Sequence, residues 1–426
     1  MILNKYPYRV LGELGRFEFY YYRTTGGKSY FEKQSGKEYY KTLGYKELVL
    51  YNGASIDSYR TTAQGYDYIT KQNDFHLSPK SIENQIISES KRIKTSIRRK
   101  VQSQNSNDEQ PIEQASSFAY LLDRDYKKEF KEMLEQAPEE LQKHLVEKAV
   151  RVEDPRQTIY IEIDEICCKE QKSSRKQIDK EEEKRKEEKR KEARTKGKKP
   201  YRESKYLFQT VCHISKLEQR FSLVSNKKDS ILPQYTELIN TFVKSVNCQK
   251  DNKVFFTDGA RDLQAQIQKE YGDTHSKMIL DWYHLAKKVS SQLMMGMKRS
   301  SKREDKESEI KKYLWYGLCD QANNTINDIQ AEDIKNQKAL EILKGYIDRQ
   351  NSMIPNYDLR KRLGLKNSSS RVEKENDLLI AQRQKRKGMS WSKKGSNALA
   401  TIQMLKQLNQ VESFHRSGEF IFDWAA

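Results

Sequence analysis

Three carboxylates, far apart along the chain, form the pattern that could do chemistry. Asp164 closes an alternating apolar run, Ile159-Tyr160-Ile161-Glu162-Ile163-Asp164. Asp258 closes a second, Val254-Phe255-Phe256-Thr257-Asp258, ahead of a turn-prone Gly259. Glu373 lies in the helix-like stretch Arg371-Val372-Glu373-Lys374-Glu375-Asn376. Two strand-end aspartates and a distant helical glutamate suit two Mg²⁺ ions, which want hard oxygen ligands and keep several waters. Ions held about 3.5–4 Å apart serve phosphodiester chemistry: one activates the attacking water or 3′-hydroxyl, the other stabilises the leaving oxygen. Mn²⁺ is expected to substitute. No covalent protein nucleophile is expected, because no serine or cysteine motif with a suitable base is evident. Taken singly, each acid reads equally as a turn residue or a cap. Nearby Glu162, Glu165 and Glu375 are set aside, the first two as pointing to other strand faces and the third as lying on another helical face.

The elements that must position these acids lie between 159 and 284. Strand 159–166 carries Asp164. Strands Tyr206–Ile214 and Gln219–Val224, a helix near 231–246, strand 253–258, helix 261–271 and strand Ser276–Leu280 follow. Three strands, a helix, a strand, a helix and a strand match the order of a ribonuclease H-like α/β core. The strands are interrupted by a charged arm, Lys169–Lys205, with 17 basic and 9 acidic residues. Its i,i+4 pairs, such as Glu181 with Arg185 and Glu187 with Lys191, predict a single helix, either simply solvated or touching phosphates.

Outside the core, 55–100 reads as a helix-turn-helix. Ser78 and Pro79 suit a helix start. Ile82, Ile86 and Ile93 form the apolar stripe of the second helix, opposite Lys80, Asn84, Gln85, Lys91, Arg92 and Lys94. Such a helix either enters a major groove or completes an ordinary helical hairpin. Beyond Glu373, Arg383, Lys385, Arg386, Lys387, Lys393 and Lys394 surround Trp391. This suits a phosphate-binding surface with an aromatic anchor, although Trp391 would equally pack a helix on the sheet. The chain therefore divides into a small β-containing module (1–54), the helix-turn-helix region (55–100), a linker and helical segment (101–154), the first part of the core (155–288, with the arm at 169–205), a helical insertion (289–366) and the C-terminal core with the third acid (367–426).

Composition narrows the class. A net charge of +19 over 426 residues favours a polyanionic partner, because each phosphate contact releases counterions. Five cysteines with no CxxC pair argue against a disulfide framework or structural zinc. No apolar run approaches the length of a membrane span. The expected setting is the cytoplasm, on the nucleoid.

The strings YIEIDE, FFTDGARDLQ, ILDWYHLAKK and SRVEKENDLLIAQRQKRKGMSWSKKGSNAL resemble bacterial insertion-sequence transposases of the DDE type. The resemblance is to the ISKra-like and ISLre-like groups, related to Mutator-like enzymes. It covers about 155–405 and departs over the first 50 residues, where relatives carry cysteines. It implies Asp164, Asp258 and Glu373 as first, second and third acids. It also implies Asp281 and His284, in Asp281-Trp282-Tyr283-His284, as shaping the site, and Asn376 as the asparagine that follows the family glutamate. The activity implied is binding of terminal inverted repeats, Mg²⁺-dependent cleavage and strand transfer into double-stranded DNA, by a homodimer or higher oligomer. A non-catalytic DNA-binding protein and a structure-specific nuclease on the same fold are the alternatives.

Overall fold

A computed structural model describes residues 2–12, 15–24, 59, 79–105, 119–120, 127–139, 142, 151–171, 180–195, 206–225, 235–272 and 276–425. Two small antiparallel ribbons stand apart from the main sheet. In the first, β1 (Ile2–Gly12) pairs β2 (Gly15–Thr24). Helix α1 (Pro79–Asn105) follows. In the second ribbon, β3 (Ala119–Tyr120) and β4 (Arg151–Val152) flank helix α2 (Lys127–Gln136). The expected strand Lys46–Tyr51 and most of the first helix of the helix-turn-helix lie outside the described residues.

The run of apolar residues that ends in Asp164 is the middle strand of a five-stranded mixed sheet. This is β5 (Thr158–Lys169), buried continuously from Thr158 to Ile163. Such burial on both faces explains why β-branched residues dominate it. Helix α3 (Lys180–Thr195) lies in the charged arm, and β6 (Tyr206–Lys216) and β7 (Gln219–Ser225) return antiparallel. Leu217 supplies the positive φ that the tight β6–β7 turn needs. Helix α4 (Tyr235–Ser245), β8 (Asn252–Thr257), α5 (Arg261–Tyr271) and β9 (Ser276–Leu280) complete the unit. Strand β8 runs parallel to β5, and β9 parallel to β8, giving the order β7-β6-β5-β8-β9.

Residue parity assigns the two faces. Tyr160, Glu162 and Asp164 share one face with Val211, His213 and Ser215 across the β5–β6 register. Ile159, Ile161 and Ile163 face the opposite way. There α4 and α5 cover the sheet, with Phe221 stacked on Phe242 at 4.2 Å and Phe255 tilted on Tyr271 at 4.9 Å.

The helical stretch between Asp258 and Glu373 comprises α6 (Trp282–Gly296), α7 (Ser301–Trp315), α8 (Cys319–Asn327), α9 (Gln337–Gln350) and α10 (Tyr357–Arg362). Its apolar core, including Leu285, Val289, Leu293, Ile310, Leu314, Leu343 and Ile347, is continuous with Tyr160, Val254 and Phe256 of the sheet. The chain then re-enters the sheet layer as α11 (Ser370–Asn376), followed by a π-helical segment, Asp377–Ala381. Helices α12 (Lys393–Gln407) and α13 (Val411–Ser417) close the fold.

Helix α1 joins a second core cluster, the one that holds Ile159, Ile161 and Ile163 of β5. Ile82, Ile86, Ile93, Ile97 and Val101 are buried in the cluster that includes Ala398, Leu399 and Ile402 of α12. Gln104 reaches Ser245 at the end of α4, 2.8 Å away, and Ser96 accepts the Phe420 amide at 2.8 Å. Lys94, expected on the polar face, is buried instead. It lies four residues after the buried Ser90 and three before the buried Ile97, on the packed side of the helix. Among the described residues, no helix is long and apolar enough to cross a membrane.

Candidate active site

Asp164, expected at a strand end, instead stands in the middle of β5, half-buried, where the strand leaves its fully covered section and its pairing with β8 has ended, while pairing with β6 continues to Lys169. Its Oδ1 accepts the Glu165 amide at 2.8 Å and its Oδ2 accepts Asn376 Nδ2 at 2.7 Å. Burial pushes its carboxyl above the ordinary range. The Glu165 amide and the His284 side chain pull the other way, while the charges of Asp258 and Glu373 raise it further. The charges of Asp258 and Glu373 thus act on Asp164 in the same sense as its burial.

Asp258 is exposed just past β8, with Oδ1 accepting the Ala260 amide at 2.8 Å. The turn depends on Gly259, whose φ is +90°. A Cβ there would also sit 2.6 Å from the Tyr346 hydroxyl. That hydroxyl donates to the Asp258 carbonyl at 3.4 Å, so α9 props the turn from behind.

Asp281 is buried and caps α6, its Oδ1 accepting the His284 amide at 2.9 Å. Its Oδ2 accepts both the amide and the hydroxyl of Ser369, the latter at 2.8 Å. One carboxylate therefore ties the end of β9, the start of α6 and the start of α11. His284 Nε2 stands 3.6 Å from Glu373 Oε1, a separation longer than a hydrogen bond. Glu373 is exposed and Asn376 is buried. Glu375 is buried on another side of α11, and burial raises its carboxyl.

The segment leading into α11 is held at successive residues. Arg360 forms a fully buried bidentate pair with Glu153 at 2.6 and 2.8 Å. It also donates to the Lys366 carbonyl at 2.7 and 3.1 Å. Asn367 donates to the Tyr357 carbonyl at 2.7 Å. Lys366 Nζ reaches Ser215 Oγ at 2.6 Å and Glu162 Oε1 at 3.3 Å. Glu162 shares the face of Asp164, contrary to the expectation that it points elsewhere. The i,i+2 spacing from Asp164 carried that signal. Glu165 does face away, and is exposed.

The basic residues divide. Asn84 and Lys91 on α1 are exposed, as are Lys385, Arg386, Lys393 and Lys394. Lys80 pairs with Glu83 at 2.7 Å. Arg92 pairs with Glu89 at 2.7 Å and lies over the Phe414 ring. Gln85 is partly buried, its Oε1 wholly so. The Lys387 side chain is outside the described set. Two expected surface contacts are corrected. Arg383 is buried between the rings of Trp391, at 4.7 Å, and Tyr59, at 5.4 Å. Desolvation and cation–π contact make it structural. Trp391 is buried too. Its indole N–H donates to the Gln384 carbonyl at 2.9 Å and its amide to the Lys169 carbonyl at 2.9 Å, extending the end of β5.

Three carboxylates form the hard-oxygen donor set that Mg²⁺ or Mn²⁺ takes. Asn376 Oδ1, buried beside them, has no hydrogen-bond partner among the described residues, which suits an oxygen donor facing a cation or its water. The residue types therefore fit the ion. Among the described residues, no three His, Cys, Asp or Glu side chains stand close enough to form a ready-made cage. No protein-family model matches the chain, and no curated protein matches it.

Proposed function

We propose that this chain is a DDE-type DNA transposase, with Asp164, Asp258 and Glu373 as its metal-holding acids. One observation carries the reading: the helix that bears Glu373 is joined to Asp164 of β5 through Asn376 at 2.7 Å, and Asp258 follows β8, the strand that runs parallel beside β5. The strand order β7-β6-β5-β8-β9, in which β6 alone runs antiparallel to its neighbours, supports a ribonuclease H-like core. Residues Asp164, Asp258 and Glu373 would hold two divalent ions, which supply activation of the attacking oxygen and stabilisation of the leaving one.

The protein's own residues do the positioning. Asn376 and the Glu165 amide orient Asp164. The Gly259 turn presents Asp258, and His284 stands against Glu373. Lys385, Arg386, Lys393 and Lys394 provide an exposed cationic surface downstream of the third acid, suited to DNA phosphates. Asn84 and Lys91 of α1 are exposed and suit base or phosphate contacts. The enzyme would act as a dimer or higher oligomer on paired DNA ends.

The test uses a plasmid carrying the DNA that flanks the coding region. With Mg²⁺ the protein should nick at the element ends and join the exposed 3′-hydroxyls to a second DNA, and a chelator should stop both. Nicking without joining would make it a nuclease; binding with neither would leave a non-catalytic DNA-binding protein.

A further inference from the structure

Glu162 is a fully buried acid with no assigned task in the three-carboxylate centre. A buried carboxylate is costly unless its oxygens are satisfied. Both oxygens of Glu162 are engaged by the segment that returns from the helical stretch. Oε1 faces Lys366 Nζ at 3.3 Å, and Oε2 accepts the Val372 amide at 3.0 Å. That amide belongs to the first turn of α11, where a helix cannot satisfy its own N–H groups. Glu373 is the next residue. Four residues beyond Val372, on the same helical face, Asn376 donates to Asp164. Strand β5 thus grips α11 at two points one turn apart, through Glu162 and Asp164. A single contact leaves a helix free to pivot, whereas two fix its rotation and its height along the strand.

We propose that Glu162 is a positioning residue: its bond to the Val372 amide sets where Glu373 stands relative to Asp164 and Asp258, and so sets cation affinity. This rests on the reading of those three acids as a cation-holding centre. Groups that orient metal ligands typically change affinity or activity by about ten- to hundred-fold when lost.

Two variants of the full-length chain separate this role from simple core stability. Glu162→Asp keeps the charge facing Lys366 but is one methylene too short for the Val372 amide. Glu162→Gln keeps an acceptor oxygen at full reach. Mn²⁺ binding is measured by titration calorimetry, and amide hydrogen exchange is followed over residues 370–376. The aspartate variant should bind Mn²⁺ about ten- to hundred-fold more weakly and exchange faster over that segment, at an unfolding temperature close to wild type. The glutamine variant should stay close to wild type in both measurements. Wild-type affinity or unchanged exchange in Glu162→Asp overturns the proposal, as does equal weakening in both variants, which would show that an acceptor at full reach of the Val372 amide does not preserve the site. Glu373→Ala runs alongside. If it binds Mn²⁺ as wild type does, the three-acid reading falls, while the exchange data still decide whether Glu162 holds the helix.

Discussion

Asn376 donates its side-chain amide to Asp164 at 2.7 Å, joining residues 212 positions apart in sequence. The bond engages Oδ2 while Oδ1 accepts the Glu165 amide, so the carboxylate is oriented through both of its oxygens. Asn376→Ala should lower the Mg²⁺-dependent cleavage rate by about ten- to hundred-fold, the usual cost of losing a group that orients a metal ligand. Asn376→Asp should be worse. It sets a second carboxylate against one whose ionisation burial and neighbouring acids already disfavour. Cleavage rates measured across a Mg²⁺ series check both.

The Gly259 turn is constrained twice, by its positive φ and by the Tyr346 hydroxyl. Gly259→Ala should destabilise the fold by about 1–3 kcal/mol from backbone strain, with further loss from the contact. Tyr346→Phe, which removes only a long hydrogen bond, should cost about 1 kcal/mol or less. Urea unfolding of the two variants gives the comparison.

Arg360 and Glu153 are both essentially unexposed, and their pairing holds the Glu153 carboxyl below the usual range despite the opposing effect of burial. Arg360→Met leaves a buried charge unpaired and should cost about 3–5 kcal/mol. Adding Glu153→Met should recover much of this. Recovery should be incomplete, because Arg360 also holds the Lys366 carbonyl. Thermal or urea unfolding of the single and double variants measures the difference.

His213 is buried on the Glu162 face, with Nδ1 2.9 Å from Ser222 Oγ. Burial, with help from Lys366, Arg371 and Arg220, holds its pKa down to about 3. An unfolded imidazole protonates near about 6.5. Between these values the unfolded chain binds the extra proton, so stability falls as pH falls through that window. His213→Gln should remove about 3 kcal/mol of the stability change between pH 7 and 4. Paired urea titrations at the two pH values isolate this contribution from the buried carboxyls.

Much of the core was legible because its signals are local. The helix over 261–271 and the strand over 276–280 coincide with the expected limits, and β5 extends its expected range by a few residues. Long-range partners were not legible. Nothing near Arg383 in sequence says that Tyr59 and Trp391 will enclose it. Nothing near Asp281 announces Ser369, 88 positions away. Glu162 was readable in part: its parity with Asp164 fixes the face, but its bond to the Val372 amide depends on where the chain returns after a long helical excursion.

Cleavage and joining of the flanking DNA by wild type and Asp258→Ala, side by side in Mg²⁺, tests the central claim most directly. Asp258 is exposed, and its carboxylate supports only a local turn, so the variant should fold normally. The account predicts wild-type nicking and strand joining, and neither product above background with Asp258→Ala. Undiminished products from the variant would contradict it.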